Sequence, residues 1–278
     1  MKKSNTHSNS YDEKSFEVTK KPFYLAQDRE IELFEAAYES KLPLMLKGPT
    51  GSGKTRLVEY MAWKLKRPLF TIPCHEDLSG NDLVGRYILK GGNVEWVDGP
   101  LLMAVKHSGI AYLDEIVEAR KDTTVVIHPL TDHRRYLPVE KLKTVFNATD
   151  GFMLVISYNP NYQSILKELK PSTRQRFVGL HLGWPSEALE LEIVRKESGL
   201  HTVTAQKLVS IANKIRNLTK DNGLEEGVST RELVYCGKLL KKKVNARDAI
   251  VSTLVEPLTH DDDMKNSIVL IVNNYFDI

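Results

Sequence analysis

The segment Gly48-Pro49-Thr50-Gly51-Ser52-Gly53-Lys54-Thr55 constrains this chain more than any other stretch. It fits G-x-x-x-x-G-K-[ST], follows the apolar run LPLML (42–46) and opens the helical run RLVEYMAWKL, which is the strand, loop and helix context the motif requires. Glycines let such a loop turn its amide hydrogens inward. The helix behind it adds a positive N-terminal dipole, so a polyphosphate is held by fixed donors. On this reading Lys54 reaches the outer phosphates of ATP and the Thr55 hydroxyl ligates magnesium.

The rest of the chain supplies a matching frame. After residues 42–46 come PLFTIP (68–73), IAYLDEI (110–116), FMLVISY (152–158) and FVGLHLGW (177–184), separated by helical stretches. Five such runs predict an α/β fold, a parallel sheet covered by helices on both faces. Past Pro185 the apolar residues recur at helical spacing, which predicts a small all-helical second domain. The expected organisation is a disordered tail over 1–20, a nucleotide-binding α/β domain over 21–185 and a helical lid over 186–278. The tail follows from a stretch rich in Lys, Ser and Asn and poor in aliphatics, which cannot offset ordering entropy by burial. Two segments interrupt the alternation as hairpins, RYILKGGNVEWV (86–97) around Gly91-Gly92 and RRYLPVEKLKTVFNA (134–148), where Pro138 restricts its strand to an edge or a bulge. In the first, Tyr87, Leu89 and Trp96 either meet a partner or pack as cross-strand pairs.

Asp114 and Glu115 end the run IAYL, at the sheet edge where ligands bind in such folds. Asp114 can hold the magnesium shell and Glu115 can polarise an attacking water. Asn159 follows the next run and either orients the same water or, before Pro160, opens a turn.

Composition narrows the class further. With 41% hydrophobic and 27% charged residues the chain has enough apolar matter for one large or two modest cores. Its net charge is +3, and residues 1–21 carry five lysines against three acids, so the body is nearly neutral and no broad nucleic-acid surface is expected. Cys74 and Cys236 stand far apart without a CxxC, which points to a reducing cytoplasm. No apolar run approaches the ~20 residues of a bilayer span, so no direct membrane insertion is expected. Cys74, His75, Glu76 and Asp77 look like a metal cluster, but neighbours on a strand end point in alternating directions.

Several stretches together resemble AAA+ ATPases of the MoxR class, in the NirQ/NorQ/CbbQ branch: LPLMLKGPTGSGKTRLVEYMA, CHEDLSGNDLVGRY, YLDEIVEARKDTTVVIHPLTDHRRYLP, VISYNPNYQSILKELKPSTRQRFV and STRELV. The resemblance spans roughly residues 22–240. It implies that residues 48–55 are Walker A, Asp114 and Glu115 Walker B, Asn159 sensor 1, Arg176 the arginine finger, a role that Arg174 two positions earlier either shares or takes, and Arg231 sensor 2. It further implies that the hairpins are the helix-2 and pre-sensor-1 inserts of a homo-hexameric ring. The implied partner carries a von Willebrand factor A domain, and the implied client is Rubisco or nitric oxide reductase. The Lys/Asn-rich tail and the acidic run at 260–263 depart from the family pattern and bear on which partner docks there. A P-loop small-molecule kinase and a nucleic-acid-dependent ATPase are the alternatives, and the STRQRF and STREL arginines favour the ring.

Overall fold

The computed structural model describes residues 13–160, 169–221 and 227–276. In its first part α1 (Glu30–Glu39) leads to β1 (Leu44–Lys47), α2 (Lys54–Leu65) and β2 (Leu69–Pro73). A short α3 (Gly80–Val84) carries the hairpin β3 (Gly85–Lys90) and β4 (Asn93–Asp98), then α4 (Pro100–Lys106) returns the chain to β5 (Ile110–Asp114). After α5 (Lys121–Ile127) a second hairpin, β6 (Tyr136–Val139) and β7 (Thr144–Asn147), precedes β8 (Met153–Tyr158), α6 (Pro171–Arg174) and β9 (Val178–His181).

Among the described residues five strands form one parallel sheet in the order β2-β5-β8-β1-β9. The register sets Leu44 of β1 opposite Val155 and Val178, and Lys47 opposite Tyr158 and His181. All the strands therefore end at one edge, which carries the 48–55 loop, Asp114 and Asn159. Side chains alternate between the faces with period two. Leu44, Leu46, Ile110, Tyr112, Met153 and Val155 pack on Leu57, Val58 and Met61 of α2 and on Phe34 of α1. Met45, Ala111, Leu113, Leu154 and Ile156 pack on the other side with Leu83, Leu101 and Leu102. Burial of each such side chain stabilises the sheet by roughly 1.5–3 kcal/mol. Both faces being covered is why these runs read as continuously apolar.

The two hairpins differ in anchorage. Leu137 and Val139 of β6 are buried in the core while Pro138 between them is exposed on a two-stranded ribbon, so the missing amide costs no sheet bond. In β3 and β4, Trp96 lies half-buried against the core and meets its cross-strand neighbour Tyr87 edge-on at 5.1 Å. Of the two readings open for it, Trp96 therefore takes the cross-strand pair. The exposed pair is Leu89 and Val94, beside a turn whose Gly91 and Gly92 both have positive φ (57° and 85°), as a two-residue I′ turn requires.

The remaining helices, α7 (Glu187–Ser198), α8 (Thr202–Asp221), α9 (Thr230–Lys241), α10 (Ala246–Ile250) and α11 (Asp262–Asn273), enclose a separate apolar core. The acidic run at 260–263 has a local cause. Asp261 caps α11 by accepting from the Asp263 and Met264 amides, and Asp262 and Asp263 sit where the helix dipole favours negative charge. The expected tail is too long: Glu13–Phe16 forms a 3-10 turn and Phe16 stacks on Phe70 with ring centroids 4.4 Å apart, an aromatic anchor within an otherwise polar stretch. Residues 1–12 of that tail lie outside the described residues.

Candidate nucleotide site

The loop after β1 is shaped by what its glycines lack. A Cβ on Gly48 would run into the Leu182 carbonyl, and one on Gly51 would lie 2.7 Å from Ser229 Cβ of the helical region. Lys54 opens α2 and is buried, its Nζ donating to the carbonyls of Gly48 (2.8 Å) and Pro49 (2.9 Å). The ammonium is thus held at the mouth of the loop. Ser52 Oγ is buried with no hydrogen-bond partner among the described residues. Such an orphan inside a cradle of amides fits an oxyanion ligand, because a buried hydroxyl without a partner is costly.

Opposite the loop, Thr55 Oγ1 stands 3.4 Å from Asp114 Oδ2. Two buried hydroxyls that the sequence reading missed fix the other oxygen: Tyr112 and Ser157 each donate to Asp114 Oδ1 at 2.6 Å, and Ser157 in turn accepts from the Glu115 amide at 3.1 Å. Oδ2 is left facing Thr55, a hydroxyl-plus-carboxylate pair that suits a hard divalent cation. The signal for both was present. Tyr112 lies two positions before Asp114 and so shares its face of the strand, and Ser157 is the one small polar residue in FMLVISY. Burial and the Asp114 charge push the Tyr112 hydroxyl well above its ordinary range, so it stays a donor.

Glu115 has a left-handed backbone (φ 57°, ψ 50°), a conformation that β-strand ends do not need and that turns its carboxylate out of the strand. Burial and the neighbouring Asp114 raise its pKa, while Lys54 and Arg231 pull it down. Asn159 is buried directly after β8, between the strand that carries Lys54's loop and the strand that carries Glu115. The apparent metal cluster diverges: Cys74 is buried, its thiol pushed up to about 12 by burial, Asp114 and Glu115, whereas His75, Glu76 and Asp77 are exposed.

Residues 50–55, Asp114 and Glu115 line a cleft of about 620 Å³, which Asn159 does not line and whose far wall belongs to other parts of the chain. One part is the strap at residues 23–27, to which the sequence reading gave no role. Gln27 Nε2 donates to the Ser52 carbonyl (3.2 Å), and the Glu30 carboxylate gathers Tyr24 Oη (2.6 Å) and the amides of Gln27 and Asp28. Ile193 of α7 and Arg231 and Tyr235 of α9 complete the wall.

Arg174 and Arg176 lie elsewhere. They precede β9, whose first residue Val178 is in register with Leu44 at the start of β1, so they sit at the amino edge of the sheet. A strand's length, roughly 13 Å at 3.3 Å per residue, separates them from the loop of their own chain. Arg176 is exposed and forms an ion pair with Asp132 (3.7 Å), which also holds Arg134 at 2.6 Å.

A glycine loop cradled between a parallel sheet and a helical lid, facing a fixed acid pair, defines a P-loop nucleotide-binding protein of the AAA type. Two family models match: the AAA domain of the dynein-related subfamily over residues 43–177 and the CbbQ/NirQ/NorQ C-terminal model over residues 190–275. Protein NorQ of Paracoccus denitrificans is 56% identical over 89% of this chain and 91% of its own length. Protein CbbQ of Hydrogenophilus thermoluteolus is 53% identical over 89% and 92%. The chain belongs to the CbbQ/NirQ/NorQ family of AAA+ proteins. Among solved structures, a point mutant of Thermotoga maritima RuvB matches with a TM-score of 0.56 at 17% identity, over 87% of this chain and 73% of that one, a likeness of fold alone.

Proposed function

We propose that this chain is a magnesium-dependent ATPase that works as a cytoplasmic homo-hexameric ring and remodels a client enzyme complex with a von Willebrand factor A domain partner. The observation that carries the ring reading is the separation of Arg174 and Arg176 from the cleft of their own chain. A cation that stabilises charge on the transferred phosphoryl group must reach it. At the amino edge these arginines are better placed to serve a neighbouring copy's site than their own.

Within one chain the work divides by geometry. The amides of residues 48–55 and Lys54 hold the phosphates, and the orphan Ser52 hydroxyl gains a partner there. Thr55 and Asp114 would hold magnesium, which supplies positive charge to the phosphate oxygens. Glu115 accepts the proton of the attacking water, its raised pKa making it a better base than an ordinary carboxylate. Asn159 orients that water and Arg231 meets the terminal phosphate from the lid.

The likeness to proteins named NorQ and CbbQ is nearly equal, so nitric oxide reductase and Rubisco are both carried forward as clients. The test is one preparation of the chain with its partner, assayed for magnesium-dependent ATPase, for mass by light scattering with ATP present, and for gain of activity by each client. A monomer with full turnover removes the ring. A turnover that jumps with single-stranded DNA and with neither client removes the remodelling role.

A further inference from the structure

Among the described residues the lid's apolar core contains one buried ion pair. Glu190 of α7 is fully buried, and Arg216 of α8 grips it with both terminal nitrogens (2.8 and 2.7 Å). Both partners reach further. Arg216 Nε donates to the Val228 carbonyl (2.8 Å), and its guanidinium lies 4.4 Å from the ring of Trp184 in the linker between sheet and lid. Glu190 Oε1 also accepts from Thr230 Oγ1 (2.5 Å). A side chain on Gly227 would collide with Arg216 Cγ, which keeps the segment before α9 pressed onto the pair. That segment is the mount of Arg231, and its Ser229 touches the phosphate loop at Gly51.

A buried ion pair is a poor device for stability alone, since well-packed apolar residues of similar volume often serve as well. What a bidentate guanidinium does supply is fixed geometry. We propose that Glu190 and Arg216 are positioning residues that hold Arg231 over the phosphate loop and tie it to the linker at Trp184. The terminal phosphate of ATP is then sensed by the lid as a rigid body. This rests on the reading of Arg231 given above. Neither residue lines the cleft, so neither is catalytic.

The test compares wild type, Arg231→Ala, Arg216→Lys and the double variant Glu190→Leu with Arg216→Met, which removes both charges and leaves neither buried alone. Melting and circular dichroism check folding. The readout is the ratio of affinities for a magnesium-bound non-hydrolysable ATP analogue and for ADP, which a merely structural pair would not move. ADP affinity stays within about twofold throughout. Arg231→Ala and the double variant lose on the order of tenfold in analogue affinity, the size of one charge-assisted contact. Arg216→Lys falls between, since it keeps the charge and loses the fork. If Arg231→Ala loses the preference while the double variant, or Arg216→Lys should the double fail to fold, keeps it, the positioning role is overturned and the reading of Arg231 stands. If Arg231→Ala itself keeps the preference, that reading falls and the role of the pair falls with it.

Discussion

At the carboxyl edge of the sheet Lys54, Thr55, Asp114 and Glu115 converge on one cleft, each held by partners from its own chain. At the amino edge Arg176 pairs with Asp132 beside His128, and both it and Arg174 lie a strand's length from the cleft of their own chain. One edge is built to hold a ligand and the other to present charge outward. On the proposed reading the amino edge contributes its part of the chemistry to a neighbouring copy. The largest expected effect lies at the carboxyl edge: Lys54→Ala abolishes tight nucleotide binding, because the ammonium held at the loop mouth is gone. Glu115→Gln keeps ATP bound and loses on the order of 10³-fold in single-turnover hydrolysis, within the range for removing a general base. Since burial and Asp114 raise the Glu115 pKa, activity should fall with falling pH through a limb that lies above the ordinary carboxylate range. The residual rate of Glu115→Gln should lack that limb, and full hydrolysis by this variant removes Glu115 from the role.

At the amino edge the effect is nearly as large but separable. Arg176→Ala should bind ATP normally and lose on the order of 10³-fold in turnover. Mixing decides whether the two edges belong to different copies: Lys54→Ala chains, which retain Arg176, should partly rescue Arg176→Ala chains. If no ratio restores activity, the contrast between the edges breaks, and Arg174 or a role within one chain becomes the better account.

The edges also differ in how much of them the sequence made legible. Residues 48–55 and the Asp114-Glu115 pair are local patterns whose geometry is dictated by adjacent glycines and a strand end, so spacing alone locates them. Tyr112 and Ser157 were hidden in apolar runs, because their meeting depends on β5 and β8 lying side by side, a pairing between residues over forty positions apart. The strap at 23–27 was missed for the same reason: its contact with the loop is made by one Gln27 amide across 25 residues. The ordered end of the tail was hidden because Phe16 and Val18, two apolar residues in a polar stretch, pack on the body of the protein. A smaller prediction follows from the hidden pair. Tyr112→Phe keeps the packing but removes one donor to Asp114, so the magnesium concentration needed for half-maximal ATPase should rise about tenfold, as for one hydrogen bond to a charged group. Nucleotide binding measured with EDTA should not change, and an unaltered magnesium requirement would mean that Ser157 alone holds the carboxylate.

The smallest effect on ATP chemistry is expected from a segment that belongs to neither edge. The first hairpin does not line the cleft, and its end is apolar for no reason of internal packing: Leu89 and Val94 are cross-strand neighbours left 77% and 68% exposed. The second hairpin buries its Leu137 and Val139 and leaves a lone Val145 exposed opposite Pro138, whereas the first leaves two apolar neighbours exposed side by side. An exposed apolar pair is better placed to meet another protein. Replacing residues 89–94 by a short Gly/Ser turn leaves the Tyr87–Trp96 contact and the Trp96 Nε1 bond to Asp98 (2.7 Å) in place, so the base of the hairpin should hold. Basal ATPase should stay within a few-fold and assembly should be unchanged by light scattering, whereas gain of client activity should fall to background. Both activities must be read on one preparation. Retained client activity would make the tip decoration, and a collapsed assembly would make it structural.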